Sequence, residues 1–191
     1  MSSTHRAGAI AASDEWATPQ ALYDKLHDEF GFNLDAAASA ATAKCAEFWT
    51  VEDDALTKPW KTSTFVNPPY GRTCADCPDK IWKGKKWPEG QRCTDRGHTS
   101  RTLDHWFAKA VWEQGLGSAV VMLTYARTDV AWWHDCVMHY ASEVRLVRGR
   151  LKFEINGQAR HPAPAPSAVI VFPAHRDPGV PVFSTLIPPT S

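Results

Sequence analysis

Hydrophobic and polar positions along the chain follow two different periods, which predict strands and helices in turn. The segments 118–124 and 167–172 are continuously apolar, a pattern typical of strands that are buried on both faces of a sheet. Shorter apolar segments bounded by turn residues predict four further strands, at 32–35, 64–66, 143–147 and 150–153.

Helices are predicted between these strands, over 20–29, 103–114 and 129–139, with a helical turn of small residues over 36–44. Thr18 is a suitable N-cap and Pro19 a suitable first residue for the first helix. Trp132 and Trp133 are adjacent in the third, so one of them is expected at a pocket rim or an interface. The alternation of strands and helices indicates an α/β protein with an open sheet.

The chain is expected to fold as one domain over residues 14–175. We expect 1–13 to be a disordered N-terminus and 176–191 to be a loosely ordered tail. The proline-rich stretch 161–166 is expected to form a loop. Within the domain, 72–101 is rich in Gly, Pro and Lys and has few large apolar residues, which indicates an insertion outside the main core.

The composition is that of an ordinary globular protein, because 43% of the 191 residues are hydrophobic and 22% are charged. It excludes a disordered chain, a collagen-like chain and a small disulfide framework. No apolar run approaches the roughly 20 residues of a membrane-spanning helix, and 1–13 lacks the hydrophobic core of a signal peptide. We therefore expect a cytoplasmic protein with no membrane partner, whose five cysteines are free thiols or metal ligands.

The formal net charge of zero conceals a gradient along the chain. Residues 14–54 include ten acidic and two basic side chains, a net charge of −8. Residues 71–101 include eight basic and four acidic side chains, a net charge of +4. The acidic and basic parts are expected to face different partners.

Asn67-Pro68-Pro69-Tyr70 directly follows the strand at 64–66, and ligands bind at such strand ends in open α/β sheets. The prolines fix the backbone, so that the Asn67 side-chain oxygen and the Pro68 carbonyl can both accept hydrogen bonds from one planar NH2 group. Tyr70 offers a flat face for a base. These features favour activation of an exocyclic amine; the plainer interpretation is a strand end with a locally packed tyrosine.

At these residues the sequence resembles the phage-type DNA N6-adenine methyltransferases, a Dam-like family. The resemblance covers most of the chain and is carried by Trp16-Ala17-Thr18-Pro19, Phe32-Asn33-Leu34-Asp35-Ala36-Ala37-Ala38, Asn67-Pro68-Pro69-Tyr70-Gly71, Trp106 with Lys109-Ala110, Thr128-Asp129 with Trp132-Trp133, and Gly149-Arg150 with Phe153. It implies a Rossmann-like S-adenosylmethionine-dependent methyltransferase fold. It also implies methyl transfer from that cofactor to N6 of adenine in double-stranded DNA, and a phage or prophage gene expressed in a bacterial host cell.

The resemblance implies roles for particular residues. Asn67, Pro68, Pro69 and Tyr70 would be the catalytic motif. The cofactor cleft would be lined by Trp16, Thr18 and Pro19 at its methionine end, by Asp35 and Ala36 after the first strand, and by Asp53 or Asp54, with Glu52 as a further candidate, at the adenine amino group. The sequence departs from the wider methyltransferase pattern because no Gly-x-Gly loop follows the first strand, although the small alanines there permit close approach.

The implied reaction requires no nucleophilic side chain and no catalytic metal, because the leaving group and the positive charge both belong to the sulfonium cofactor. The protein would position the amine in line with the methyl carbon and exclude water. An adenine inside a duplex would have to be flipped out to reach such a pocket.

The insertion contains a spacing typical of a structural zinc site. Cys74, Cys77, Cys93 and His98 form the pattern C-x2-C-x15-C-x4-H, which matches a closed Cys3His tetrahedron. Zn2+ would supply the folding free energy that this segment lacks. His105 is also in range, so the fourth ligand stays open between the two histidines.

Basic side chains suggest where DNA binds. The insertion carries Arg72, Lys83, Lys85 and Lys86, interleaved with aromatic residues, which suits a phosphate backbone and unstacked bases. Arg148 and Arg150 alternate along the chain and can also follow a phosphate backbone, although a solvated, charge-protected sheet edge explains them equally well.

Two other functions are compatible with the same residues. One is a methyltransferase for a protein glutamine or an RNA base, since those amines present a similar NH2 group. The other is a catalytically inactive, zinc-containing nucleic-acid-binding module, which the missing glycine loop favours.

Overall fold

The computed structural model describes residues 17–70, 73–74, 100–155 and 158–189. The helices are α1 (Gln20–Phe30), α2 (Leu103–Gly115) and α3 (Met138–Tyr140), the last preceded by a π-helical turn, Trp133–Val137. The strands are β1 (Leu34–Asp35), β2 (Ser63–Val66), β3 (Thr73–Cys74), β4 (Ser100–Arg101), β5 (Ala119–Tyr125), β6 (Glu143–Val147), β7 (Lys152–Ile155), β8 (Gln158–Pro162), β9 (Ser167–Phe172) and β10 (Val182–Leu186). The predicted α/β class is confirmed.

In the described part of the chain, six strands form one sheet in the order β1-β2-β5-β9-β6-β10. β9 is antiparallel to both of its neighbours, and the other adjacent pairs are parallel. The five remaining strands therefore point the same way and end at one edge of the sheet, here named the carboxyl edge. Ligands bind at this edge in open α/β sheets.

Helices cover both faces of the sheet. On one face, α2 and the residues before α3 pack over β2, β5 and β9, and the rings of Phe107 and Trp132 stack with their centroids 4.1 Å apart. On the other face, α1 packs over the same strands through Leu22 and Leu26. Since both faces are covered, every residue of β9 is buried, as its continuous apolar run predicted.

The predicted helical turn over 36–44 forms only in part: bends at 36–37 precede a single hydrogen-bonded turn at 40–42, in which the backbone N–H of Ala43 donates to the Ser39 carbonyl at 2.9 Å. The carboxylate of Asp35 accepts hydrogen bonds from the backbone N–H of Ala37 (3.4 Å) and of Lys44 (3.1 Å). A side chain that takes these backbone donors competes with the helix, which would need them for its own bonds. The buried carboxylate therefore folds the segment back on itself.

The prediction of a loosely ordered tail over 176–191 is wrong, because β10 pairs in parallel with β6 at the end of the sheet. Leu186 is buried, whereas Val182 and Phe183 are exposed. Only Leu186, the last residue of β10, is buried, so the strand lacks the alternating burial from which a strand is predicted. Main-chain pairing with β6 holds it in place.

The structure also corrects the region of 150–166. β7 begins at Lys152, two residues later than predicted, and pairs with β8 as an antiparallel hairpin. β8 runs to Pro162, so the predicted loop 161–166 is shorter than expected. A strand that ends in proline is easily missed, because proline cannot donate a hydrogen bond to a neighbouring strand.

Trp132 and Trp133 are both buried, at 6% and 2% exposure, so the expectation that one lies at a rim is wrong. A π-helical turn begins at Trp133, and this local departure from α-helical spacing accompanies the burial of both indoles. Trp132 stacks on Phe107, while Trp133 lies in the same core cluster.

The order of β10 leads to a stability prediction. Leu186→Ala should lower the free energy of unfolding by about 2–4 kcal/mol, because it leaves a cavity beneath the last strand. Ile187→Ala, one residue further and 61% exposed, should change it by less than about 0.5 kcal/mol. Urea unfolding of both variants measures the difference, and equal effects would contradict a packed β10.

Candidate functional site

The tetrapeptide Asn67-Pro68-Pro69-Tyr70 lies at the carboxyl edge, because Val66 is the last residue of β2. Pro68 is buried, and the other three residues are half-buried. β2 lies between β1 and β5, so the motif is flanked by the ends of two further strands. The structure therefore places the predicted catalytic motif where open α/β sheets bind ligands.

Three hydrogen bonds define the position of the Asn67 side chain and its neighbours. The Tyr70 hydroxyl donates to Asn67 Oδ1 at 2.9 Å and also approaches the carbonyl oxygen of Leu123 at 3.4 Å. Asn67 Nδ2 donates to Thr18 Oγ1 at 3.3 Å. Both ends of the carboxamide are thus held, while Oδ1 keeps a second lone pair for another donor.

The Tyr70 ring stacks on Tyr125, with centroids 3.9 Å apart and planes 24° apart. One face of Tyr70 is therefore occupied, and a stacked base would have to use the other face. Burial raises the pKa of Tyr70 well above its usual value, and the electrostatic effect of the neighbouring Tyr125 adds to this increase. The hydroxyl consequently stays protonated and remains a donor to Asn67.

Tyr125 was not identified as a site residue from the sequence. It ends β5, whose predicted span stopped one residue earlier. The signal that would have found it is positional, since an aromatic residue at the end of a strand beside β2 reaches the same edge as Tyr70. Phe153, whose ring centroid is 6.4 Å from that of Tyr70, completes the aromatic cluster.

The prediction that Thr18 is the N-cap of α1 is wrong. Pro19 occupies that position and makes no side-chain capping bond. The Glu154 carboxylate takes the capping role by accepting from the Gln20 backbone N–H at 3.1 Å. Ala17 pairs with Glu154 through two backbone hydrogen bonds of 2.9 Å. Thr18, only 3% exposed, is thereby held between β7 and α1 and faces Asn67.

Asp35 ends β1 at the same edge and is 3% exposed. Desolvation raises its pKa to about 6, although the two backbone N–H groups that it accepts oppose this shift. Ala36 is fully buried in the core, where its methyl group faces no open cleft. The cofactor roles of both residues stay predictions.

The acidic turn at 52–54 is organised by local bonds. Asp53 Oδ2 accepts from the backbone N–H of Thr50 (2.9 Å) and from its hydroxyl (2.8 Å), and these bonds lower the pKa of Asp53. Asp54 adopts a left-handed conformation with φ 48°. Neither geometry tests a contact with the cofactor's adenine, so that assignment also stays a prediction.

Several predicted site residues lie outside the described residues: Trp16, Arg72, Cys77, Lys83, Lys85, Lys86, Cys93 and His98. Cys74 is described as backbone only, in β3, which pairs with β4 and brings the two ends of the insertion together. Within the ranges that the structure covers, no three His, Cys, Asp or Glu residues form a group that could hold a metal. His105 Nδ1 lies 2.9 Å from the Thr102 hydroxyl, in the cap of α2.

Arg148 and Arg150 follow β6 at the carboxyl edge and are exposed. Neither guanidinium forms an ion pair with another described residue. Arg145, by contrast, binds Glu29 and Glu143 at 2.6–2.7 Å and ties β6 to α1. Arg148 and Arg150 are thus available to a ligand in a way that Arg145 is not.

The fold and the position of the motif place this protein in the class of α/β proteins that have a candidate binding site at the carboxyl edge of an open sheet. A family model described as DNA N-6-adenine-methyltransferase (Dam) matches residues 7–185. The chain therefore belongs to the Dam family of DNA N-6-adenine methyltransferases.

Two relatives and one solved structure were also found. The chain is 38% identical over 65 residues to the putative methyltransferase YfdM of Escherichia coli (strain K12), which covers 30% of this chain and 71% of YfdM. It is 37% identical over 65 residues to the DNA N-6-adenine-methyltransferase of Escherichia phage T1, covering 32% of this chain but only 27% of that protein. The type IIL restriction-modification enzyme MmeI in complex with DNA aligns with 85% of this chain and 22% of its own, at 14% identity and a TM-score of 0.42. No helix among the described residues is long and apolar enough to cross a membrane.

The buried Asp35 leads to a pH prediction. Its folded-state pKa of about 6 exceeds the unfolded value of about 3.9, so the folded protein binds the proton more tightly and loses stability as the pH rises from 4 to 7. Relative to the parent, Asp35→Asn should gain about 2–3 kcal/mol in the free energy of unfolding over this range.

Denaturant titrations at pH 4, 5, 6 and 7 measure this difference. Asp53→Asn is the control of opposite sign, because the pKa of Asp53 is lowered and its contribution is lost only as the pH falls to about 4 and below, so the stability of this variant relative to the parent should stay nearly constant from pH 5 to 7. A stability difference between Asp35→Asn and the parent that does not change with pH would contradict the prediction.

Proposed function

We propose that this protein transfers a methyl group from S-adenosylmethionine to N6 of a flipped-out adenine in DNA. The observation that carries the proposal is the position of Asn67 Oδ1, which lies at the carboxyl edge and is held by the Tyr70 hydroxyl. Membership of the Dam family supports the same reaction.

The motif is suited to binding an exocyclic amine. Asn67 Oδ1 has a free lone pair, and the Pro68 carbonyl, on the rigid Pro68-Pro69 backbone, would be the second acceptor for the same NH2 group. When both oxygens accept N6 hydrogens, the nitrogen lone pair is withdrawn from the ring and becomes nucleophilic. The amine does not need to be deprotonated beforehand, because its surplus proton can pass to solvent water once the C–N bond has formed and the methyl carbon–sulfur bond has broken.

The aromatic cluster would hold the base. Tyr125 covers one face of Tyr70, with ring centroids 3.9 Å apart, so an adenine ring would stack on the opposite face. A stacked adenine fixed at N6 has little freedom left, which is the positioning that methyl transfer requires. Such a base must leave the duplex, since its N6 is otherwise paired.

The acidic side chains near the carboxyl edge fit a sulfonium cofactor. When bound, that cofactor supplies the methyl group and carries the positive charge. Carboxylates follow β1 and occupy the turn at 52–54, within the acidic part of the chain. Asp35, Asp53 or Asp54 would hold the cationic and adenine ends, and Pro19, half-buried beside Thr18, would line the methionine end. Ala37 and Ala38, which are small and half-buried, limit the steric obstruction at this edge.

The central prediction concerns Asn67. Asn67→Ala should lower the rate of adenine methylation by at least about 100-fold, because it removes an acceptor that acts on the reacting amine, while the Kd for S-adenosylmethionine stays within about twofold. Transfer of labelled methyl to DNA, followed by nucleoside analysis, measures the rate and identifies N6-methyladenine.

Asn33→Ala is the matched control, because Asn33 is hydrogen-bonded to Ser63 at the opposite end of the strands. It should retain methylation. Parallel assays with RNA and with protein substrates separate the alternative acceptors, and equal losses of cofactor binding and methylation in Asn67→Ala would contradict the assignment.

We also propose that the insertion binds structural zinc and contacts DNA. Pairing of β3 with β4 supports a closed insertion that leaves the sheet beside Tyr70. His105 takes part in the α2 cap, which favours His98 as the fourth ligand beside Cys74, Cys77 and Cys93. Exposed Arg148 and Arg150 lie at the same edge as the catalytic motif, where they can bind phosphates together with the insertion's cations.

Salt-dependent DNA binding tests both parts of this surface. Arg148→Glu with Arg150→Glu should weaken binding and flatten the dependence of log K on log salt by about two phosphate contacts. Cys77→Ser should lose zinc and weaken binding, whereas Cys136→Ser, outside the insertion, should do neither. An unchanged affinity and salt slope in the charge-reversed and zinc-free proteins would contradict the proposed surface.

A further inference from the structure

The orientation of the Asn67 carboxamide requires an explanation. Its oxygen and nitrogen have nearly the same size, so only hydrogen-bond partners decide which one faces the substrate. If the group rotated by half a turn, its NH2 would face the adenine NH2, and two donors would oppose each other. The proposed activation of the amine, on which this inference rests, needs Oδ1 in that position.

Tyr70 alone cannot fix this orientation. Its hydroxyl has one proton, and the carbonyl oxygen of Leu123 is a second acceptor for it at 3.4 Å. If Tyr70 donated to Leu123, its oxygen could accept from Asn67 Nδ2, which would stabilise the rotated amide. A second partner is therefore needed on the nitrogen side.

Thr18 occupies that place. Its Oγ1 accepts from Asn67 Nδ2 at 3.3 Å, and the residue is only 3% exposed. The backbone around it is fixed on both sides, by the pairing of Ala17 with Glu154 and by the start of α1. Thr18 and Tyr70 thus contact opposite ends of the amide, so a rotated amide would require both hydroxyls to reverse their donor and acceptor roles together.

We infer that Thr18 is a positioning residue that holds the Asn67 amide in its productive orientation, with Oδ1 toward the methyl-accepting amine. This role differs from a contact with the methionine end of the cofactor. Thr18 acts through Asn67, so its effect appears in the rate of methyl transfer and not in the binding of either substrate.

The test compares Thr18→Val, which keeps the shape of the side chain and removes its oxygen, with Thr18→Ser, which keeps the oxygen. Thr18→Val should lower kcat about tenfold, the factor that corresponds to the net value of about one hydrogen bond. KM for DNA and Kd for S-adenosylmethionine should stay within about twofold. Thr18→Ser should restore most of kcat.

Thr64→Val is the matched control, because Thr64 is a fully buried threonine of β2 whose hydroxyl donates to the Lys61 carbonyl. It should lower stability without lowering kcat. If Thr64→Val lowers kcat as much as Thr18→Val, or if Thr18→Val raises the Kd for the cofactor and leaves kcat unchanged, the inference is overturned.

A second background isolates the amide. A carboxylate has two equivalent oxygens, so Asn67→Asp presents an acceptor in either rotation. In that background, Thr18→Val should lower kcat by about twofold or less. A persistent tenfold loss would show that Thr18 does not act through the amide orientation.

A spectroscopic measurement separates this inference from the proposed reaction. The side-chain NH2 signals of Asn67, assigned by their absence from Asn67→Ala, should shift in Thr18→Val toward those of a free amide. Unchanged signals would overturn the inference even in an active enzyme. If the signals shift in Thr18→Val as expected but the parent protein methylates no adenine, the result counts against the proposed function alone.

Discussion

The hydrogen bonds of Asn67 and Tyr70 join three parts of the chain that are distant in sequence. Thr18 stands before α1, Asn67 and Tyr70 follow β2, and the Leu123 carbonyl belongs to β5. The parallel pairing of β2 with β5 fixes the second and third parts, and pairing of Ala17 with β7 fixes the first. The site consequently depends on the sheet being complete, since a small slip of any strand would separate donor from acceptor.

The same edge combines two kinds of buried polar group. Asp35 uses its carboxylate to fold the segment after β1, and desolvation raises its pKa to about 6. Tyr70 instead remains neutral because burial raises its pKa well above the usual value. A charge that is costly to bury therefore shapes the backbone, while the neutral hydroxyl binds the Asn67 side chain. This division lets the site stay uncharged where an adenine would enter.

Much of the fold could be predicted from the sequence because its central strands are buried on both faces. The runs that became β5 and β9 are apolar throughout, and Asn67-Pro68-Pro69-Tyr70 interrupts the chain where β2 ends. β10 could not be predicted, since its exposed side chains carry no burial pattern and main-chain pairing holds it. The contact of Thr18 with Asn67 was missed for a related reason. A threonine before a proline suggests a cap locally, and only the tertiary structure shows that Glu154 caps the helix instead.

The capping of α1 by Glu154, and not by Thr18, has a consequence for the site. If Thr18 capped α1, its oxygen would accept from the helix backbone and would be less available to Asn67. Because Glu154 accepts from Gln20 instead, the Thr18 hydroxyl is released toward the carboxyl edge. Glu154 is also the residue that pairs with Ala17, so one position on β7 both caps the helix and holds the threonine in place. The hairpin of β7 and β8 thereby contributes to the geometry of Asn67 through a helix cap, without supplying a side chain to the motif itself.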